Sequence, residues 1–449
     1  MRNSPSKLAV IVLAAGTGTR MKSRRPKVLH ELCGCSMLAH VLTTAESLEP
    51  ERLIVVVGGE ADEVEATFTG RGEFVVQAEP RGTGHAVLQA APKLSDFEGD
   101  VLVLYGDVPL LRPQTLASMR VEKERGESDL LILTASADSI PGRIVRDDAR
   151  RVTRVVEQQD ATAEELTIPE RNTGVYLLDA QLLHGCLAQL DHSNAQGELY
   201  LTDIVGMAVD AGKRVAAMQL EDADESLGIN TREELADAIA VLRRRINADW
   251  MQRGVTLIDP ESTYIDVSVR IGRDTVIEPG CQIVGNTVIG EGCHLKAYTV
   301  VESSRLADDV TVGPSSHLRV DSELEQGVKI GNFVEVKNSV LGPGTKAAHL
   351  TYIGDADVGA RVNFGCGSVV VNYDGFAKYR TTVGDDVFIG CNVNLVAPVT
   401  IRKHSFLAAG STISHEVPEG ALAVARARQR NIEGWVPRRE ARARDAKKK

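Results

Sequence analysis

Tyr264-Ile265-Asp266-Val267-Ser268-Val269-Arg270-Ile271-Gly272-Arg273-Asp274-Thr275-Val276-Ile277 carries an aliphatic residue at 265, 271 and 277, and the interval of six persists well beyond it. Ile283, Ile289, Leu295 and Val301 extend this comb; Val312, Leu318, Leu324, Ile330 and Val336 form a second; Val383, Ile389, Leu395, Ile401, Leu407 and Ile413 form a third. Repeated hexapeptides are the signature of a parallel β-helix, one aliphatic side chain in six pointing into a narrow solenoid core. At about three hexapeptides per coil and about 4.8 Å per strand, residues 265–413 predict a prism roughly 40 Å long. Aromatic residues at only 4% suit a core too thin for rings. Gly at 272, 290, 331, 342, 354, 384 and 390 is expected where a turn needs backbone freedom. The comb stops between Tyr352 and Val383, which predicts a loop leaving the prism.

Upstream the pattern changes. Ala9–Leu13, Leu53–Val57, Phe74–Gln77, Val101–Tyr105 and Leu130–Thr134 read as buried strands, separated by helical stretches such as Met37–Ser47 and Gly84–Ala91. Such alternation predicts a parallel sheet covered by helices on both faces, with ligands beyond the carboxyl ends of its strands. Thr231-Arg232-Glu233-Glu234 has the form of a capping box, and Leu235, Ile239, Leu242 and Ile246 continue at helical spacing to about Gln252. The expected organisation is an α/β domain over 1–230, a linker helix over 231–252, and a β-helix domain with a basic tail over 253–449.

The 449 residues, 43% hydrophobic and 25% charged, suit a globular chain of two or three domains. A net charge of −11 argues against broad nucleic-acid binding. The exception is the end of the chain, where Arg426, Arg428, Arg430, Arg438, Arg439, Arg442, Arg444, Lys447, Lys448 and Lys449 face three acids; such a run is expected to be a solvated tail. The apolar run Leu8–Ala15 is too short to span a membrane, so a cytoplasmic chain is expected. The odd set of scattered cysteines, Cys33, Cys35, Cys186, Cys281, Cys293, Cys366 and Cys391, reads as free thiols.

The first strand leads into Leu13-Ala14-Ala15-Gly16-Thr17-Gly18-Thr19-Arg20-Met21, followed by Pro26-Lys27. It is neither a dinucleotide turn nor a P-loop, which would need glycine at 21 or Gly-Lys-Ser/Thr. Close glycines let backbone N–H groups approach phosphate oxygens, and Arg20 and Lys27 add charge for a triphosphate.

This segment resembles the signature of the sugar-nucleotide pyrophosphorylases. Gln77-Ala78-Glu79-Pro80-Arg81-Gly82-Thr83-Gly84-His85-Ala86, Leu104-Tyr105-Gly106-Asp107, Gly142-Arg143, Glu157-Gln158, Asn172-Thr173-Gly174 and Gly228-Ile229-Asn230 follow in order. The set resembles the uridyltransferase half of a bifunctional bacterial family that makes UDP-N-acetylglucosamine. The resemblance implies a Rossmann-like nucleotidyltransferase domain in which Arg20 and Lys27 act on the phosphates of UTP. Leu13, Ala14, Gly16, Tyr105 and Gly106 would line the nucleotide site. Gln77, Gly82 and Thr83 would hold uracil, and Gly142, Glu157 and Asn172 the sugar. Asp107, a hard carboxylate at a strand end, and Asn230 would hold Mg²⁺.

Leu318-Arg319, Asn332-Phe333-Val334-Glu335-Val336-Lys337, His349-Leu350-Thr351-Tyr352-Ile353-Gly354-Asp355, Asn363, Asn372-Tyr373-Asp374-Gly375, Lys378, Arg426 and Glu433-Gly434-Trp435 resemble the acetyltransferase half of the same family. His349 would be the general base. Arg319, Lys337, Tyr352, Asn363 and Lys378 would hold glucosamine-1-phosphate, and Cys366, Asn372, Tyr373, Cys391, Ala409 and Arg426 acetyl-CoA. Gly365-Cys366-Gly367 and Cys391 depart from the family pattern; the backbone N–H of Cys366 can still serve as an oxyanion donor. The resemblance further implies a left-handed prism and a homotrimer with acetyl sites between chains. Two other readings compete: a nucleotidyltransferase whose β-helix only oligomerises or regulates, and a non-catalytic assembly protein. Arg319, Lys337, His349, Tyr352 and Lys378 oppose the first, and Arg20, Lys27, Asp107 and His349 the second.

Overall fold

A computed structural model describes residues 6–59, 61–137 and 140–447, so Lys448 and Lys449 of the basic tail lie outside the described residues. The chain divides into two compact units, Met1–Ile246 and Asn247–Lys449.

In the first unit the expected apolar runs are strands: β1 (Leu8–Ala14), β2 (Glu31–Leu32), β3 (Cys35–Ser36), β4 (Arg52–Val57), β5 (Glu73–Val76) and β6 (Asp100–Tyr105). β7 (Leu130–Ala135), β8 (Arg143–Arg146), β9 (Val152–Val156), β10 (Arg171–Asp179) and β11 (Val215–Gln219) follow. The main sheet runs β11-β7-β10-β6-β1-β4-β5. Its central strand β1 pairs in parallel with β4 and β6 and is buried throughout, because Val10 and Val12 enter one core while Ala9, Ile11 and Leu13 enter the other. Helices α1 (Met37–Glu46), α2 (Ala61–Thr67) and α4 (Pro113–Gly126) contribute to the first core; α3 (Thr83–Ala90), α5 (Ala180–Leu187) and α6 (Asp203–Asp210) contribute to the second. The alternation predicts a parallel sheet, and the structure corrects this: β10 is antiparallel to both β6 and β7. The chain enters β10 from β9 with no α-helical crossover, and an antiparallel strand needs none.

Helix α7 (Arg232–Gln252) begins with the expected capping box: Thr231 Oγ1 accepts from the Glu234 N–H at 3.1 Å, and Glu234 Oε2 accepts from the Thr231 N–H at 2.9 Å. Its first turns pack Leu235, Ala238 and Val241 against Met21, Leu32, Met37 and Ile229. The division between units falls inside the helix, and Asn247, just beyond it, donates to the carbonyls of Pro260 at 2.8 Å and Thr263 at 3.0 Å.

The second unit consists of three parallel sheets of ten, nine and eight strands, which successive short strands join in rotation. The comb residues stack in register, Ile277 on Leu295, Ile283 on Val301 and Ile289 on Leu306. The shifts between combs are one-residue shortenings: Leu306 follows Val301, Leu341 follows Val336 and Val358 follows Ile353, all buried, and each shortened step passes from the nine-stranded to the eight-stranded sheet. The prism therefore continues past Tyr352 through Ile353, Val358, Phe364 and Val370, and the chain leaves it only between the strands Val369–Val371 and Thr381–Val383.

The comb glycines serve a different purpose from the expected one. None of the seven has a left-handed φ. A Cβ on Gly272 would instead stand 2.5 Å from the backbone of Gly290, and one on Gly342 2.5 Å from that of Gly359. Adjacent coils approach too closely there for any side chain. Helix α8 (Trp435–Ala446) ends the described chain, and residues 424–447 are exposed.

Candidate active sites

At the carboxyl edge of the first sheet Leu13 stands in register with both Val56 and Tyr105, so the loops after β1, β4 and β6 open side by side. Ala14, Gly16, Thr17, Pro26, Lys27 and Gly58 line a cavity of about 120 Å³ there. Gly18 has φ +60, and a Cβ on it would lie 2.6 Å from the Lys27 Cβ, so the loop needs glycine on both counts. Lys27 is buried, and its Nζ donates to Asp107 Oδ2 at 2.5 Å and Asn230 Oδ1 at 3.0 Å. Arg20 is exposed and has no ion pair among the described residues. Oxygens of Asp107 and Asn230 thus converge on one cationic centre, here the ammonium of Lys27. Among the described residues no cluster of three acids, histidines or cysteines could cage a metal. Two hard oxygens suit Mg²⁺, which takes its other ligands from water and phosphate.

At the end of β5 Gln77 is buried, and its Nε2 donates to the Gly82 carbonyl at 3.2 Å and lies 3.0 Å from His85 Nδ1. Thr83 Oγ1 accepts from the Leu201 N–H at 3.1 Å, and the Gly106 N–H donates to the Leu13 carbonyl at 2.9 Å. Burial, with the charges of Glu157 and Asp107, holds the Tyr105 phenol far above its usual range. Glu157 lines a cleft of about 410 Å³ with Asp160, Asn194, Thr202 and Asp203. Burial first, then Asp160 and Asp203, pushes its carboxyl upward. The Asn172 N–H donates to the Gly142 carbonyl at 3.0 Å; its side chain is engaged within its own strand, donating to Tyr176 Oη at 2.7 Å and accepting from the Gly174 N–H at 3.1 Å.

On the second unit Asn332 and His349 are direct partners on adjacent strands, and His349 Nδ1 lies 2.7 Å from Asn332 Oδ1. On the neighbouring sheet Glu335 pairs with Tyr352 and Lys337 with Gly354. Arg319 donates to Glu335 Oε1 at 2.7 Å. Lys378 stands against Lys337 and, ahead of burial and Arg319, lowers its pKa. These like charges gather where an anion would relieve them. Asn363 lies one coil beyond Lys346 on the sheet that carries His349.

The amide of Asn372, expected with acetyl-CoA, donates to Asp355 Oδ2 at 2.5 Å and to Tyr352 Oη at 3.4 Å. Tyr373 donates to the Gly375 carbonyl at 2.7 Å within the loop that leaves the prism. The Cys366 carbonyl accepts from the Asn392 N–H at 2.8 Å, and that of Cys391 from the Gly410 N–H at 2.8 Å. Arg426 reaches back to the Ala409 carbonyl at 2.8 Å.

Comparison with known proteins accounts for both units. Residues 10–173 match the MobA-like NTP transferase domain, and residues 268–303 and 380–415 match the bacterial transferase hexapeptide (six repeats). The bifunctional protein GlmU of Listeria welshimeri is 46% identical, the alignment covering 96% of this chain and 99% of the relative. That of Pelobacter propionicus is 47% identical over 95% of this chain and 98% of its own, and that of Alkaliphilus metalliredigens 44% over 96% and 99%. The chain belongs to the GlmU family.

GlmU membership covers both units, and no helix among the described residues is long and apolar enough to cross a membrane. Three residues at the GlmU-type sites were not among the sequence candidates: His85, Asn332 and Asp355. Each lies inside a quoted motif, but nothing in its spacing signals that it touches Gln77, His349 or Asn372.

Proposed function

We propose that this GlmU-family chain makes UDP-N-acetylglucosamine by acetylating glucosamine-1-phosphate from acetyl-CoA and then coupling the product to UTP with release of pyrophosphate. The fixed imidazole of His349 carries the bifunctional reading, because a β-helix serving only assembly has no use for a base held by Asn332.

In uridyl transfer a phosphate oxygen of N-acetylglucosamine-1-phosphate attacks the α-phosphorus of UTP, and the bond to pyrophosphate breaks. Arg20 and Lys27 offset the charge on the phosphates. Asp107 and Asn230 would hold Mg²⁺, which when bound supplies further neutralisation of phosphate oxygens. In acetyl transfer the His349 Nε2 removes a proton from the attacking amine, while Arg319, Lys337 and Lys378 anchor the sugar phosphate. The N–H of Cys366 has no acceptor among the described residues and is the donor for the oxyanion formed before the C–S bond breaks.

A homotrimer is part of the proposal. It is supported by an exposed ladder in which Phe388 pairs with Phe406 and Phe406 with Leu422, the two rings stacked at 4.2 Å. Exposed apolar patches of this kind are interaction surfaces. The chain works in the cytoplasm, where UTP and acetyl-CoA are supplied.

The test incubates the protein with acetyl-CoA, glucosamine-1-phosphate, UTP and Mg²⁺, following free thiol and pyrophosphate separately. Thiol release without UTP, and pyrophosphate release dependent on the acetylated sugar, are expected; pyrophosphate release with no thiol would leave the β-helix a scaffold. A fragment of residues 1–252 should release pyrophosphate and no CoA, in keeping with separate cores.

A further inference from the structure

We propose that Cys366 and Cys391 are a modification site: a small disulfide oxidises the two thiols to a bridge between adjacent coils, and the bridge shuts acetyl-CoA out of the β-helix. The proposal rests on the acetyl-transfer reading and adds to it a means of stopping that reaction alone.

The two cysteines occupy the same place in successive coils. Phe364 pairs with Ile389, the Gly365 N–H donates to the Ile389 carbonyl at 2.8 Å, and the Asn392 N–H donates to the Cys366 carbonyl at 2.8 Å. The register therefore sets Cys366 against Cys391, each opening the turn that follows its strand. The coils are close here: a Cβ on Gly365 would stand 2.5 Å from the Cys391 nitrogen, and one on Gly367 would meet Asn392 Oδ1. Residues in register on neighbouring coils lie about 4.8 Å apart, inside the Cα separation of about 4.4–6.8 Å that a disulfide spans. The small approach that the sulfurs still need falls on turn residues, not on ladder strands.

Exposure separates this pair from the other thiols of the β-helix. Cys281 Sγ donates to the Lys296 carbonyl at 3.2 Å and Cys293 Sγ to the Ala307 carbonyl at 3.1 Å; both are buried, and burial pushes both thiols up, away from the reactive thiolate. Cys366 is half-buried, Cys391 is exposed, and neither sulfur has a hydrogen bond among the described residues. Arg426, held on the carbonyl of Ala409 one coil beyond Cys391, adds positive charge to this corner. The Cys391 thiolate attacks one sulfur of the small disulfide, forming a mixed disulfide and expelling one thiolate. The Cys366 thiolate then attacks Cys391 Sγ, the mixed bond breaks, and the second thiolate leaves. The two protein protons end on the two released thiols, so one disulfide is reduced as the other forms. The bridge lies beside the Cys366 N–H that the acetyl-transfer reading assigns to the oxyanion, so bridge and thioester exclude each other.

The experiment treats the full chain with glutathione disulfide, removes the excess, and measures acetyl transfer, uridyl transfer and, after non-reducing tryptic digestion, linked peptides. Acetyl transfer should fall about 10-fold once nine-tenths of the pairs are oxidised, and recover with dithiothreitol. The peptides carrying Cys366 and Cys391 should be joined, and uridyl transfer should not change. Cys391→Ser, compared with its own untreated rate, should lose nothing and yield no joined peptides. Cys366→Ala should stop at the mixed disulfide, seen as glutathione mass on the Cys391 peptide. Absence of the link in the unaltered protein, a link with acetyl transfer undiminished, or an equal fractional loss in Cys391→Ser overturns the proposal. Failure of the reduced, unaltered protein to acetylate glucosamine-1-phosphate would instead overturn the acetyl-transfer reading, while the joined peptides would still report the bridge.

Discussion

His349 Nδ1 stands 2.7 Å from Asn332 Oδ1 across two strands in which the residues are direct parallel partners. An amide oxygen can only accept, so Nδ1 carries the proton and Nε2 keeps its lone pair. One coil of the β-helix thus sets the tautomer that the next coil needs as a base.

His349→Ala should lower acetyl transfer by about 10² to 10⁴, the usual worth of a positioned general base, with uridyl transfer unchanged. Asn332→Ala should lower kcat for CoA release by a smaller factor with little change in KM for acetyl-CoA, since it frees the ring without removing it. Cys366→Ala should be mild, because only its backbone N–H is used. CoA release by the three variants checks this ordering, and a severe loss in Cys366→Ala alone would favour a thiol nucleophile.

Asp107→Asn should cripple pyrophosphate release and spare CoA release. Stripping divalent metal with a chelator should have the same selective effect. Near-normal pyrophosphate release at limiting Mg²⁺ would exclude the metal role given to Asp107 and Asn230.

Lys378 presses on Lys337 and lowers its pKa, so Lys337 loses its charge at lower pH than an ordinary lysine. The KM for glucosamine-1-phosphate should therefore climb as pH rises through that lowered value. Lys378→Ala removes the first cause of the shift; it should weaken binding overall yet move the climb to higher pH. KM against pH for both proteins reads the sign directly.

Gly272→Ala tests the close approach of coils. Its methyl would stand 2.5 Å from the Gly290 backbone, where only main chain can yield. A loss of about 1–3 kcal/mol in the stability of the β-helix is expected, seen as a lower midpoint in thermal or urea unfolding.

Most of the architecture was legible because burial imposes a period on the chain: six residues on the prism strands, and short apolar runs on β1, β4 and β6. The capping box at Thr231 was equally readable, since its partners lie three residues apart. The order of the motifs also placed Lys27 and Asp107 at a strand edge. Contacts between residues distant in the chain left no such mark. Lys27 meets Asn230 only because strand ends and loops from opposite ends of the domain's sequence converge. The direction of β10 could not be read either, because a buried strand has the same composition whichever way it runs. The comb glycines mark the boundary: their six-residue period is written in the sequence, but the absence of a side chain is required by the backbone of the next coil, which only the folded prism brings within 2.5 Å.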